Sequence, residues 1–189
     1  MVRITEEKKI DPKKSKDEWY EEEFEKIHED IKTKTELSHY DFLRIINYKT
    51  LHPTQAKHEC INCVTFKAFN LAKDHKKIKE AITLLTMLHG VRIPTASAIL
   101  AMRFPKEYAI IDINVINALN KIKALRKEKW RAWRKGYITK PEIYEQYLNL
   151  MRNKAKREKK ELRKYELELF KEGQQKPSST KRNKTKKSI

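Results

Sequence analysis

Asp112 is the side chain whose setting in this sequence best suits chemistry. It follows the short apolar run 108–111 and directly precedes a helical pattern at 115–119. A carboxylate at such a place can cap the following helix by accepting backbone N–H groups. It can also stabilise positive charge that develops on a bound substrate. Position alone leaves both roles open, and one carboxylate can fill both.

A turn between two short helices precedes Asp112. Apolar residues recur at steps of three and four over 78–88, Gly90 interrupts the pattern, and Pro94 stands where a second helix would begin. We predict a hairpin over 78–102. Its turn would expose N–H groups at the positive end of the second helix, which suits a phosphate. A phosphate held by backbone groups gives no base preference.

Six residues of this region stand at a distinctive spacing: Leu88, Gly90, Val91, Thr95, Ala96 and Asp112. With this spacing the segment resembles the helix-hairpin-helix of the HhH-GPD superfamily, the endonuclease III-like DNA glycosylases. In that family an essential Asp lies 18 residues beyond the hairpin position that Pro94 occupies here. The resemblance is strongest over 84–119 and extends more loosely over 38–172. It implies a compact helical core without the extra parts of the larger enzymes.

The resemblance implies roles for particular residues. Asp112 would stabilise an oxocarbenium-like sugar, or orient and deprotonate the attacking water, at a nucleotide extruded from the duplex. Arg92 replaces a family glycine, which predicts backbone strain if φ is positive there, or else a contact with a neighbouring phosphate. The residues implied to bind DNA in the hairpin are Gly90, Val91, Arg92, Ile93 and Thr95.

Two departures from the family limit this chemistry. Lyase members place a Lys at the position of Pro94 and use its amine as a nucleophile, so the proline excludes Schiff-base strand cleavage through that position. Iron–sulfur members carry four Cys after the Asp, and no Cys follows Asp112. We therefore expect no cofactor, and base release without strand nicking.

A second group of potential ligands lies upstream, at His52, His58, Cys60 and Cys63. The two cysteines are one helical turn apart and could share a zinc ion, as could His58 with one of them. Yet cysteine is among the most buried residue types, and no second Cys/His cluster is present to complete a four-ligand site. We therefore predict core cysteines and no metal site.

The net charge of +18 is concentrated towards the end of the sequence. Residues 1–120 carry 20 basic and 18 acidic side chains, whereas residues 121–189 carry 24 and 8. A region with this excess of positive charge attracts a polyanion, and we expect DNA phosphates as the partner. At least one indole near position 130 is predicted to anchor its helix on the core. The residues predicted to stack on bases or contact phosphates here are Trp130, Arg131, Arg134 and Lys135.

The elements that position these residues are predicted to be helical throughout. Helix starts are indicated at Ser15 with Glu18, at Ser38 with Asp41, at Asp74, and at Thr139 with Glu142. With only three glycines and six prolines, a turn-dense all-β fold is disfavoured. We predict an all-α fold: a flexible N-terminus at 1–14, a single compact domain at 15–173, and a disordered basic tail at 174–189.

Composition also bounds the setting of the protein. No apolar run approaches 18 residues, and no secretion signal is recognised, so we expect no membrane contact. We expect a cytoplasmic monomer, associated with the nucleoid in a bacterium or archaeon. The function that these observations favour is DNA binding by the hairpin, with base excision at Asp112 as a monofunctional DNA glycosylase in base excision repair. The alternatives are a non-catalytic DNA-binding module and, third, a basic RNA-binding protein.

Overall fold

The computed structural model describes residues 15–49 and 60–175 of the chain. This part is helical, with no β-strand, which confirms the predicted all-α class. None of its helices is long and apolar enough to span a bilayer. The helices are α1 (Lys16–Ile31), α2 (His39–Lys49), α3 (Ile61–Ala72), α4 (Ile78–Leu85), α5 (Ile93–Arg103), α6 (Ile113–Lys121), α7 (Lys127–Gly136), α8 (Pro141–Arg157) and α9 (Leu162–Gln174), with a single 3-10 turn (His75–Lys77) before α4.

Side chains at the predicted helix starts account for several of the boundaries. Ser15 and Glu18 form the predicted capping box of α1. The Ser38 hydroxyl accepts from the Asp41 amide while the Asp41 carboxylate accepts from the Ser38 amide, so α2 begins in the same way. Asp74 caps the 3-10 turn that leads into α4. The prediction at Thr139 is wrong, because Lys140 is the N-cap residue of α8 and Pro141 supplies its first turn.

Helix α5 is the centre of the core. Every residue from Ser97 to Met102 is completely buried, and α5 packs on α1, α2 and α4. Two of these buried residues, Ala98 and Ala101, are alanines, whose small side chains let the neighbouring helices approach closely. This packing fixes the first residues of α5, and with them the turn before it.

Helices α6 and α9 share the most extensive helix–helix contact in the described residues. A Cβ placed on Gly173 would lie 2.0 Å from the carbonyl oxygen of Asn114, in the first turn of α6. The sequence predicted that Gly173 closes the last helix, but α9 continues to Gln174, one residue into the predicted tail. The glycine is therefore required by close approach to α6.

Several sequence predictions lie outside the described residues. These are the flexible N-terminus at 1–14, the tail from 176 onwards, and the ligand candidates His52 and His58. Pro53, which predicts the end of the segment before it, also lies there. Apolar spacing predicts a helix from about Gln55 to Lys73, and this helix can be followed only from Ile61.

Candidate functional site

Asp112 forms an ion pair with Lys49, the last residue of α2. Lys49 Nζ donates to Asp112 Oδ2 at 2.8 Å, and the two side chains are only 16% and 19% exposed. The other oxygen, Oδ1, accepts from the Asn114 amide at 2.9 Å, so Asp112 is also the N-cap of α6. The carboxylate therefore combines the predicted capping role with a largely buried charge.

The protonation of Asp112 follows from these contacts. Burial by itself would raise the pKa of the carboxyl group, since an ion loses hydration on leaving water. The Lys49 ammonium and the Asn114 amide outweigh burial, and the pKa of Asp112 lies below its ordinary value. Asp112 is thus a carboxylate at neutral pH.

Buried side chains fix the backbone segment that carries Asp112. Ser97 Oγ on α5 accepts from the Ile111 amide at 3.1 Å and donates to the Pro94 carbonyl at 2.8 Å. The hydroxyls of Tyr144 and Tyr147 on α8 donate to the carbonyls of residues 109 and 110, at 3.1 and 2.7 Å. Because these groups are buried, each bond satisfies a polar group that water cannot reach. Asp112 therefore directly follows a backbone segment, residues 109–111, that buried hydrogen bonds hold in place.

Residues 86–92, which we call the α4–α5 turn, separate the two helices of the predicted hairpin. Helix α4 ends at Leu85, earlier than the Gly90 stop that the sequence predicts. Gly90 has φ 75°, a conformation that glycine adopts without strain. Arg92 has φ −109°, so the strain considered for this residue does not arise.

The hydrogen bonds of the α4–α5 turn decide which N–H groups are open to an anion. The Val91 amide donates to the Leu88 carbonyl, and the Ile93 amide donates to the Ile138 carbonyl at 3.2 Å. Among the described residues, the amides of Gly90, Arg92 and Thr95 have no backbone or side-chain acceptor. Gly90 and Arg92 are exposed, whereas the side chains of Val91, Ile93 and Thr95 are buried.

The connection between α7 and α8 joins the α4–α5 turn to Asp112. Ile138 accepts the Ile93 amide from the turn. Its neighbour Tyr137 is close enough to Asp112 that, after burial, the carboxylate raises the pKa of the Tyr137 hydroxyl. The predicted phosphate site and the predicted catalytic carboxylate therefore border one connecting segment.

A cavity of about 110 Å³ opens beside the Lys49–Asp112 pair. Its volume is below the ~300–1,000 Å³ of typical small-molecule sites, and below the ~150 Å³ that encloses one benzene ring. A nucleobase would therefore enter only if the lining side chains move. Besides the Lys49–Asp112 pair, the aromatic and charged side chains that line the cavity are Tyr20, Tyr48, Phe170, Arg163 and Glu166.

A second ion pair in this lining, Arg163 with Glu166, lies at the start of α9. The side chains of Arg163 and Glu166 are 13% and 3% exposed and are hydrogen-bonded to each other. The Arg163 guanidinium lies over the ring of Phe24, with 3.9 Å from Cζ to the ring centroid, and reaches the Tyr48 hydroxyl at 3.4 Å. Burial raises the pKa of Tyr48 to about 12, so this hydroxyl is protonated at neutral pH.

The predicted nucleic-acid contacts on α7 lie mainly on its exposed surface. Arg131, Arg134 and Lys135 are exposed, and the Arg134 guanidinium covers the ring of Trp130 at 5.0 Å. Trp133 is 1% exposed and packs in the core, which confirms that one indole anchors this helix. Trp130 is half-buried, with its Nε1 3.4 Å from Asn117 Oδ1.

The prediction of core cysteines is wrong. Cys60 and Cys63 are both exposed and are joined to each other by a disulfide at the start of α3. The buried stripe of α3 runs through Ile61, Thr65 and Ala68, and the cysteines lie off it. In residues 15–49 and 60–175, no cluster of three or more His, Cys, Asp or Glu side chains could hold a metal ion.

Sequence reasoning missed most of the groups around Asp112. Lys49 stands near the end of a helix, and nothing in the sequence pairs it with a residue 63 positions away. Nothing local pairs Arg163 or Glu166 with Asp112 either. The sequence carries one signal for this pair. Arg163 and Glu166 are three residues apart and lie beside Tyr165 and Leu169 on the apolar face of α9, where a charged pair is expected to be buried.

Comparison with protein-family models, with curated proteins and with solved structures finds no match for this chain.

Proposed function

We propose that this protein binds DNA through the α4–α5 turn and α7, and that Asp112 excises a base as a monofunctional DNA glycosylase. The observation that carries the proposal is the ionised Asp112 carboxylate, held by Lys49 at the mouth of a cavity with aromatic and charged walls. The hairpin-to-Asp spacing of 18 residues supports it from the sequence.

Backbone groups and basic side chains would bind the DNA backbone. The amides of the exposed residues Gly90 and Arg92 stand just before and at the N-cap of α5, where the helix dipole favours an anion. The Arg92 side chain, being exposed, adds a positive charge there. Arg134 and Lys135 lie at the end of α7, just before the connection that receives the Ile93 amide. These contacts would bind any sequence, with strong salt dependence.

The carboxylate would act on the sugar of an extruded nucleotide. As the base departs, the sugar gains positive charge, and an adjacent carboxylate lowers the energy of that state. Asp112 would also orient and deprotonate the attacking water. The neighbouring Lys49 Nζ donates to Asp112 Oδ2, and we assign it to holding the carboxylate and not to attack on the sugar. Pro94 supplies no amine, and the expected product is an abasic site in an intact strand.

Asp112→Asn separates catalysis from capping. Asparagine is as good an N-cap as aspartate, so its side-chain oxygen can still accept the Asn114 amide, but it carries no charge. We expect the variant to fold and to bind duplex DNA, and to lose excision by at least ~10²-fold. The assay is abasic-site formation on a panel of duplexes with single modified bases, with thermal unfolding as the folding control. Full excision by Asp112→Asn would overturn the assigned role.

One observation favours a second candidate, a DNA-binding module without chemistry. The cavity of about 110 Å³ is smaller than a base needs. This candidate predicts that the affinity of the wild type for a duplex depends on the charges it contacts. It also predicts that no base is released from any duplex. The same panel therefore decides between the two candidates, with DNA affinity measured beside excision.

A further inference from the structure

The Cys60–Cys63 disulfide is accessible and serves little structural purpose. It closes a loop of four residues, and the stabilisation that a disulfide gives by restricting the unfolded chain is smallest for short loops. Both cysteines are exposed, so a thiol in solution can reach them. A buried cross-link between distant elements would have neither property.

The position of the pair at the start of α3 stabilises a thiolate. Cys60 is the N-cap residue, the first helical hydrogen bond runs from the Val64 amide to the Cys60 carbonyl, and the first turn carries no acidic residue. In the disulfide the Cys60 side chain makes no cap hydrogen bond, and its Sγ lies 3.4 Å from Asn62 Oδ1. Because the first amides of a helix have no helical acceptor, we expect them to bind the negative sulfur once the disulfide is reduced, and the helix dipole favours it. Thiolates at helix N-termini are stabilised in this way. Stabilising the reduced form makes a disulfide pair a stronger oxidant.

A groove adjoins the disulfide. It has a volume of about 680 Å³ and is lined by residues 33–39 of the α1–α2 connection, by Asp41, and by Ile61 and Asn62, the two residues between the cysteines. The Leu37 amide donates to Thr65 Oγ1 at 2.9 Å, which fixes this connection against α3. The amides of Thr35 and Glu36 have no acceptor among the described residues. A peptide in extended conformation could pair with such groups.

We propose that Cys60–Cys63 is a redox-active pair that oxidises the cysteines of a peptide segment seated in this groove. A substrate thiolate attacks Cys60 Sγ, a mixed disulfide forms, and Cys63 leaves as a thiolate. The second substrate thiol, once deprotonated, then attacks the mixed disulfide, and Cys60 leaves as a thiolate stabilised by the α3 amides. Two electrons pass from the substrate dithiol to the protein, which ends with both cysteines reduced.

Alkylation rates test the assigned nucleophile. In the full-length Cys63→Ser variant, Cys60 should react with iodoacetamide at a pH near 6 at least about tenfold faster than it does in the same variant unfolded in urea. The matched control is Cys60→Ser, in which Cys63 should react more slowly. Because both positions are exposed and both variants lose the same disulfide, we expect the two variants to unfold at the same temperature as each other. Equal rates for Cys60 in the folded and unfolded protein would overturn the proposal.

Substrate preference tests the groove. Oxidised wild-type protein is mixed with a peptide containing two cysteines or with dithiothreitol at the same thiol concentration, and its reduction is followed by mass spectrometry after alkylation. Both reagents are dithiols and complete the exchange intramolecularly, so faster reduction by the peptide is expected because only the peptide can occupy the groove. Equal rates would remove the groove from the proposal, and a disulfide that neither thiol reduces would refute it entirely. No DNA is present, so the outcome is independent of base excision.

Discussion

Lys49→Met is the substitution that most directly tests how Asp112 is held. Methionine keeps most of the length and apolar surface of lysine and removes its charge. Asp112 would then retain only the Asn114 amide as a partner while remaining four-fifths buried. Exposed ion pairs contribute about 0.2–1 kcal/mol, and removing one partner of a fully buried pair costs about 3–5 kcal/mol. With side chains 16% and 19% exposed, we expect a loss of about 1–3 kcal/mol in the free energy of unfolding.

The loss should depend on pH in a direction set by Asp112. In the wild type the pKa of Asp112 is below its ordinary value, so the stability from its charge is complete above the unfolded-state pKa and is lost as pH falls through the folded-state value. Without Lys49, burial dominates and the pKa of Asp112 rises. The variant then protonates Asp112 at higher pH and avoids an unpaired charge. The deficit relative to wild type should therefore begin to shrink above the ordinary Asp pKa of about 4, where the variant protonates, and should continue to shrink below it as the wild type loses its own stabilisation.

A double-mutant cycle provides the decisive measurement. Urea unfolding at neutral pH is recorded for wild type, Lys49→Met, Asp112→Asn and the double variant. In the Asp112→Asn background the lysine has no carboxylate to neutralise, so Lys49→Met should cost about 1–2 kcal/mol less than it does in wild type. An equal cost in both backgrounds, or a deficit that is constant from pH 7 to pH 3, would refute the reasoning.

Two further substitutions test the frame that holds Asp112. Ser97→Ala removes the acceptor of the buried Ile111 amide and should lower the free energy of unfolding by about 1–3 kcal/mol, measured as a lower urea midpoint. An unchanged midpoint would contradict the role of Ser97 in holding the segment before Asp112. Gly173→Ala places a Cβ against the Asn114 backbone and should lower the melting temperature more than Gly136→Ala, whose Cβ meets only the movable side chains of Ile143 and Lys140; equal losses would contradict the close approach.

Local signals predicted much of the fold because capping is a short-range interaction. Ser15, Ser38, Asp74 and Asp112 each accept a backbone N–H from a residue two or three positions ahead, so sequence alone can identify them. The prediction at Thr139 is wrong because a proline two positions later already satisfies the helix start.

Long-range contacts could not be predicted in the same way. Lys49 meets Asp112 only because α2 and α5 pack together and Ser97 then fixes the segment that follows α5. The burial of Cys60 and Cys63 was predicted from residue type alone. Their exposure is decided instead by which side of α3 packs against the core. Phe66, one turn after Cys63, is 44% exposed on the same outer side, which residue type also fails to predict.

The capping role of Asp112 does not weigh against a catalytic one. Its Oδ1 serves the helix and its Oδ2 serves Lys49, but an ionised carboxylate offers about four acceptor positions and can take further donors. Under the proposed function, a phosphate entering near the site would compete for the Lys49 ammonium, whose long side chain can turn towards it. DNA would then free Oδ2 in the complex in which the sugar arrives. Lys49→Met should for this reason retain more excision than Asp112→Asn, for which we expect the loss of at least ~10²-fold given above.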